Sequence, residues 1–417
     1  MSKINGSSVI IILMLLIIGC GGKKESHVPV KTQVTIWAHE GQPAEKKALQ
    51  SIFDAFNKAH KNIHVKAEYK QEQGYGDRVN AAAIAGALPD ILDVDGPYTA
   101  HFADMGILFP LDELISKEIL KDFLPTIISQ GTFKGRLYTL GTFESTIVIF
   151  YNRKILGSCG IKTPDSIDNA WTWEEFLNAL QVIKNKRPNI MPVETFMPWG
   201  GEWLTYAFSP LIWSNKANLL SGEGGKAQGY LNSVESVKAI RQWQILFNEK
   251  LSNRNAVPGQ FRRGRAAMAW GIFNRWPLYT ESKIDFGMMP LPKFKRHCSP
   301  SGSWCWGLTA KCADKKAALK ALEWLIHPEH GIVPMCRANG GIPSRESAIK
   351  LMTEYQETRG LFIEQLRHTA RARPVTPIYA TLTTEFSRAL EDISKGVSVK
   401  SALDKAAANV DNVLAAK

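Results

Sequence analysis

Twelve tryptophans are spread along the 417 residues, and several lie beside glycines in loop-like settings. Trp199-Gly-Gly-Glu-Trp203, Trp270-Gly-Ile-Phe-Asn-Arg-Trp276 and Gly302-Ser-Trp-Cys-Trp-Gly307 are the three groups. An indole offers a broad flat apolar face, and a neighbouring glycine lets a ligand or another stretch of backbone come close. Sugar rings present matching faces through their axial C–H groups, while their hydroxyls call for planar polar partners such as Asp, Glu, Asn and Arg. The groups therefore point to carbohydrate stacking, with core packing as the competing use of any one tryptophan. Covalent chemistry has less support. No HExxH, GxSxG or GxxxxGK[ST] occurs, no GxGxxG joins a strand to a helix, and the histidines are isolated. A glycosidase pair of carboxylates is a spatial property and stays open.

These side chains need a scaffold, and the N-terminal third supplies a readable one. Gln33 to His39 reads as a strand, and a helix follows with Pro43 near its start. Ile63 to Tyr69 alternates as a half-buried strand; Tyr75 to Ala87 is a plausible helix and Pro89 to Val94 a short strand. Strand, helix, strand, helix, strand implies a parallel sheet with crossover helices, so the fold class is α/β. Ligands of such sheets bind beyond the carboxyl ends of the strands, which puts His39, Glu40, Asp95 and Gly96 on the functional edge. Further on, Thr146 to Tyr151 is strongly β and Trp171-Thr-Trp173 marks a helix start. Val234 to Lys250 is a long amphipathic helix, and Asp285 to Pro292 looks like a second extended crossing. Near the C-terminus, Leu382, Phe386, Ala389, Leu390 and Ile393 form one helical stripe. A chain of this length exceeds one compact core and implies two lobes.

Charge and cysteine usage narrow the class. The formal charge is +12, but the basic residues are scattered, and the densest groupings, Arg262-Arg263-Gly264-Arg265 and His368 to Arg373, are short. A solvated basic surface is the plain reading, with no nucleic acid as a partner. The apolar run Val9 to Ile18 would reach about 15 Å as a helix, against a hydrocarbon core of about 30 Å, and reads as a secretory signal. With Cys20 set apart, five cysteines remain; their spacing does not fit zinc, and most read as small buried hydrophobes, with one disulfide open. No cofactor or metal is expected.

An ordered set of short stretches resembles the extracytoplasmic solute-binding proteins of carbohydrate ABC importers, the group similar to maltose- and trehalose/maltose-binding proteins. They are Val34-Thr-Ile-Trp37 with Phe53-Asp-Ala-Phe56, Ala85-Gly-Ala-Leu-Pro-Asp-Ile91, Gly106-Ile-Leu-Phe-Pro-Leu-Asp112, Ile149-Phe-Tyr-Asn152, Phe261 to Met268 and Arg373-Pro-Val-Thr-Pro-Ile-Tyr379. The resemblance implies two α/β lobes joined by crossing hinge strands, with the ligand in the cleft between them and closure by hinge motion. It implies residues 33–143 plus 284–345 as lobe 1 and 144–283 plus 346–417 as lobe 2. Ile17-Ile18-Gly19-Cys20 also resembles a bacterial lipobox with Ile18 in its central small position. On that reading 1–19 is a signal peptide, Cys20 carries the lipid, and 20–32 is the tether. Among candidate ligand contacts, Glu40 and Asp95 look like hydroxyl-binding carboxylates, with Tyr98 nearby. Glu144 precedes the first crossing strand, and Arg373 matches the family's Arg-Pro stretch. Trp270, Trp276 and Trp304 look like stacking platforms, and Trp203 is a further candidate. The implied function is a membrane-tethered monomer outside the cytoplasm that captures a mono- or oligosaccharide and presents it to the permease subunits. An anionic glycan or sugar phosphate, a lipid-anchored glycosidase using Glu40 or Asp95, and a sensor component are the rivals.

Overall fold

Two sheets organise the chain in the computed structural model, which describes residues 31–222 and 225–416. The first sheet is built from β1 (Thr32–His39), β2 (Ile63–Lys70) and β3 (Ile91–Asp95), parallel to one another with β1 in the middle. Helices α1 (Pro43–Ala59) and α2 (Tyr75–Ala85) make the crossovers. Alternation in β1 buries Val34, Ile36 and Ala38, which join Leu49, Ile52, Phe53 and Phe56 from α1 in one apolar cluster. Val79, Leu92 and Phe102 fill the opposite face. The strand Trp304–Leu308 adds antiparallel to β3, with Trp304 directly opposite Asp95, and Leu140–Gly141 closes the edge. This pairing delivers a late segment of chain to the carboxyl edge named from topology.

In the second sheet Ile147–Asn152 is flanked antiparallel by Phe286–Met289 and Ala266–Ile272, and Met191–Glu194 lies parallel beyond the latter. Helices cover it. The helix Trp173–Lys186 starts on a reciprocal capping box, Thr172 with Glu175, and buries Trp173, Phe176, Leu180 and Ile183. Gly201–Ser214 and Tyr379–Ser394 pack on each other, and the latter pairs with Val399–Ala415. One correction concerns residues 285–292. Phe286–Met289 is an edge strand of the second sheet, so the chain does not return to the first lobe at 284. Ser299–Ser301 runs parallel to Ala370–Ala372, and a second pair of crossing segments, Phe143–Glu144 and Ile342–Pro343, is antiparallel.

Hydrogen bonds from buried groups tie these crossings together. The Glu144 carboxylate accepts from the backbone N–H groups of Ser145 and Gly302, both at 2.8 Å, linking two crossing segments. Gly302 adopts φ +143°, and a Cβ there would lie 2.4 Å from the Arg373 guanidinium. Only glycine lets the backbone pass so close to that side chain. Cys159, Cys298, Cys305, Cys312 and Cys336 are buried free thiols, so the open disulfide is not formed among the described residues. The signal segment, Cys20 and most of the tether lie outside the described residues.

Candidate ligand-binding site

A cavity of about 350 Å³ opens between the two sheets at the carboxyl edge of β1 and β3. Lobe 1 contributes His39 from the end of β1, Glu45 from the first turn of α1, Glu72 from the loop after β2, and Asp95 with Trp304. The helix Gly201–Ser214 contributes Glu202, Trp203 and Tyr206, whose spacing puts them near one another at its start. Phe143, Ser145 and Arg373 come from the crossing segments, and Asn274 follows the strand Ala266–Ile272.

Arg373 is the centre of the arrangement. Its Nη1 donates to Glu202 Oε1 at 2.5 Å and its Nη2 reaches Asp95 Oδ1 at 3.3 Å, so one guanidinium spans a carboxylate of each lobe. Tyr206 lies under the guanidinium, 5.0 Å from ring centroid to Cζ, and its hydroxyl shares a 2.8 Å hydrogen bond with Ser145. Glu202 also accepts from the hydroxyls of Tyr379 and Thr383. Burial works against the charge on Arg373, but Asp95 and Glu202 outweigh it and hold the side chain protonated. For Asp95, burial raises the carboxyl to about 6; Arg373 pulls the other way, while Glu202 and Glu72 add repulsion.

Trp304 is clamped from behind. The His39 ring stacks on it with centroids 4.0 Å apart and planes 13° from parallel, and Tyr75 meets it edge-on at 5.3 Å. His39 Nδ1 sits 2.5 Å from Asp93 Oδ2, and Nε2 faces Glu45 at 3.6 Å and Glu72 at 4.0 Å. Burial alone would push the imidazolium down, yet Asp93, Glu45 and Glu72 together raise it to about 9. His39 is therefore a cation at neutral pH, lying against the indole face.

Of the nine candidate contacts, the structure brings Asp95, Trp203, Trp304 and Arg373 into one cavity. The other five lie elsewhere. Glu40 is exposed and pairs with Lys46 at 3.0 Å. Tyr98 is half-buried, edge-on to Tyr379 at 5.7 Å. Glu144 is fully enclosed in the hinge, where burial raises its carboxyl to about 7. Trp270 has 0% exposure: it sits on a central strand among Trp173, Phe176 and Phe208, and its Nε1 donates to the Ala207 carbonyl. Trp276 packs against Phe286 and under the Arg359 guanidinium. Trp270 is therefore corrected from a cleft platform to a packing residue, and Trp276, half-buried, is not among the residues that line the cavity. Sequence reasoning did not single out Glu45, Glu72, Glu202 and Tyr206, which line the cavity, and placed His39 on the edge without assigning it a role. Glu202 lay inside the quoted Trp199–Trp203 stretch, and the end of β1 pointed to His39.

Two α/β lobes, paired crossing segments and an aromatic, acidic cleft between them define a two-lobe binding protein. Residues 40–332 match the model of the bacterial extracellular solute-binding protein family, and the chain belongs to that family. The melibiose/raffinose/stachyose-binding protein MelE of Bacillus subtilis is 28% identical over 189 residues, 43% of this chain and 40% of that protein. The maltotriose-binding protein of Pyrococcus abyssi is 29% identical over 327 residues, 75% of this chain and 66% of that protein. The matches thus span less than two thirds of either relative's length. In fold, the chain is similar to the cyclic α-maltosyl-1,6-maltose binding protein from Arthrobacter globiformis, with a TM-score of 0.80 at 22% identity. That likeness covers 93% of this chain and 100% of that one. Among the described residues no helix is long and apolar enough to cross a membrane.

Proposed function

We propose that this protein is the receptor of an ABC importer, capturing a neutral mono- or oligosaccharide in the cleft and handing it to the permease. The observation that carries this reading is the cleft itself: the indoles of Trp304 and Trp203 share one cavity with Glu45, Glu72, Asp95, Glu202 and Arg373. Stacking faces flanked by acceptors and one guanidinium are what a polyhydroxylated ring requires. The named binding of MelE and of the maltotriose-binding protein supports the same ligand class. Arg373 and His39 face four cleft carboxylates, a balance that disfavours an anion at this position. Binding is non-covalent, without turnover. Export through residues 1–19, lipid attachment at Cys20 and action as a monomer complete the reading; several acyl chains at about 0.8 kcal/mol per buried methylene hold such a protein firmly on a membrane. Lobes 1 and 2 move about the paired crossings, with the Asp95–Arg373–Glu202 bridge at the pivot.

Calorimetric titration against a broad panel of neutral sugars tests the ligand class. Saturable binding by at least one sugar, nearly indifferent to salt, is the expected result. A folded protein that binds none of them overturns the reading, and product formation from an oligosaccharide would replace it with a hydrolase.

A further inference from the structure

The Arg262-Arg263-Gly264-Arg265 grouping finds no use in the cleft, but two of its arginines line a second cavity. This cavity, of about 620 Å³, lies on the second lobe, and its wall holds Arg262, Arg263 and Arg275 without any Asp or Glu. None of the three guanidiniums makes an ion pair with a carboxylate among the described residues. The sign of the wall is therefore opposite to that of the cleft. Two of the guanidiniums are held in place by neutral groups: Arg263 Nη2 donates to the carbonyls of Val257 and Pro258, and Arg275 Nε donates to Asn274 Oδ1 at 2.8 Å. Arg275 is half-buried and lies 4.9 Å from the Trp199 ring centroid.

Glu194 is the acidic neighbour whose field reaches Arg275, but its carboxylate is committed elsewhere. It accepts the backbone N–H groups of Gly259, Gln260 and Phe261 and so shapes the loop that carries Arg262 and Arg263. Tyr279 lines the same cavity and is 1% exposed, its ring packed among Phe150, Phe261 and Phe286.

We propose that this cavity is an oxyanion-binding site, taking a phosphate, sulfate or carboxylate group between Arg262, Arg263 and Arg275. Guanidiniums suit the purpose because their paired N–H groups match the oxygens of such anions. The group comes either as a free ion or as a substituent on a sugar distinct from the neutral ligand of the cleft. The two cavities are adjacent: Asn274 lines one and Arg275 the other, and Trp199 meets Trp203 edge-on at 4.8 Å. The assignment does not depend on which neutral sugar the cleft takes.

Calorimetric titration of the intact protein with inorganic phosphate and with sulfate, at ionic strength fixed with chloride, is the test. Saturable binding is expected, weakened at least tenfold in Arg275→Gln and in Arg262→Gln. Arg262 is exposed, so its variant reports on the site even if Arg275→Gln disturbs packing. A sugar phosphate that binds tighter than phosphate assigns the substituent, and equal affinity assigns the free ion. Heat that does not saturate, or affinities unchanged in Arg262→Gln, overturn the proposal. A neutral-sugar titration on the same sample keeps this outcome separate from that of the cleft.

Discussion

His39 gives the sharpest quantitative test of how the cleft is built. Replace it with Asn and measure urea unfolding of both proteins at pH 6, 8 and 10. The imidazole is 6% exposed, between Asp93 at 2.5 Å, Glu45 at 3.6 Å, Glu72 at 4.0 Å and the Trp304 face. Its folded pKa of about 9 lies above the ordinary 6.5, so the folded state holds the proton more tightly than the unfolded state. Such a group contributes its full stability below pH 6.5 and loses it as pH rises through 9. The difference of about 2.5 units at 1.36 kcal/mol each corresponds to about 3 kcal/mol, with no large discount for solvent because the ring is enclosed. Tyrosines and lysines also titrate toward pH 10, so the quantity to read is wild type minus His39→Asn at each pH. That difference should shrink by about 3 kcal/mol between pH 6 and pH 10. Sugar affinity should fall over the same interval, because the imidazolium stacks against the Trp304 platform. A difference that stays flat across the series refutes the account of His39 as a buried, carboxylate-held cation.

Trp304 and Trp270 should respond in opposite ways. Trp304→Ala should raise the sugar Kd at least about tenfold, or 1.4 kcal/mol. Trp270→Ala should cost about 3–5 kcal/mol in denaturant unfolding, and the reverse pattern would show the two assignments to be exchanged. Arg373→Gln strands Asp95 and Glu202 together. Its unfolding cost should sit at the low end of about 3–5 kcal/mol, since both carboxylates keep some contact with water, and thermal melts would expose a smaller loss. Glu144 has a folded pKa of about 7, above the ordinary 4.5, so its ionisation costs stability as pH rises through that range. Glu144→Gln should therefore gain on wild type between pH 5 and 8; a constant gap would contradict the raised carboxyl.

Local pattern revealed the first sheet because each element announced itself within a few residues. Val34, Ile36 and Ala38 alternate, Pro43 opens α1, and Leu49, Ile52, Phe53 and Phe56 recur at helical spacing. The crossings were harder. Phe286–Met289 is extended in either reading, and only its pairing with Ile147–Asn152 says which lobe holds it. The tryptophans failed for a similar reason. Trp270 and Trp304 both stand near a glycine, but the two glycines answer to different neighbours. A Cβ at Gly271 would lie 2.9 Å from the Phe150 ring, so that glycine serves a packed core. A Cβ at Gly302 would meet Arg373, so that glycine serves the cleft. In both cases the deciding contact comes from a residue more than seventy positions away, and no window on the sequence contains it.

The same separation of local from global governs charge. A formal +12 invites an anionic ligand, yet the cleft gathers Glu45, Glu72, Asp95 and Glu202 around one arginine and one histidine. The cations of Arg373 and His39 have structural duties there: one bridges the lobes and the other backs a tryptophan. Both are already balanced by carboxylates, so neither is free to pair with an incoming anion without stranding a partner, a loss of about 3–5 kcal/mol for a buried pair. A neutral polyol meets no such penalty, since its hydroxyls can donate to the carboxylates while the ion pairs persist. Unbalanced positive charge is found instead at Arg262, Arg263 and Arg275, outside the cleft. Selectivity in this chain follows from where the counter-charges sit, and the sum over the sequence carries no information about that placement.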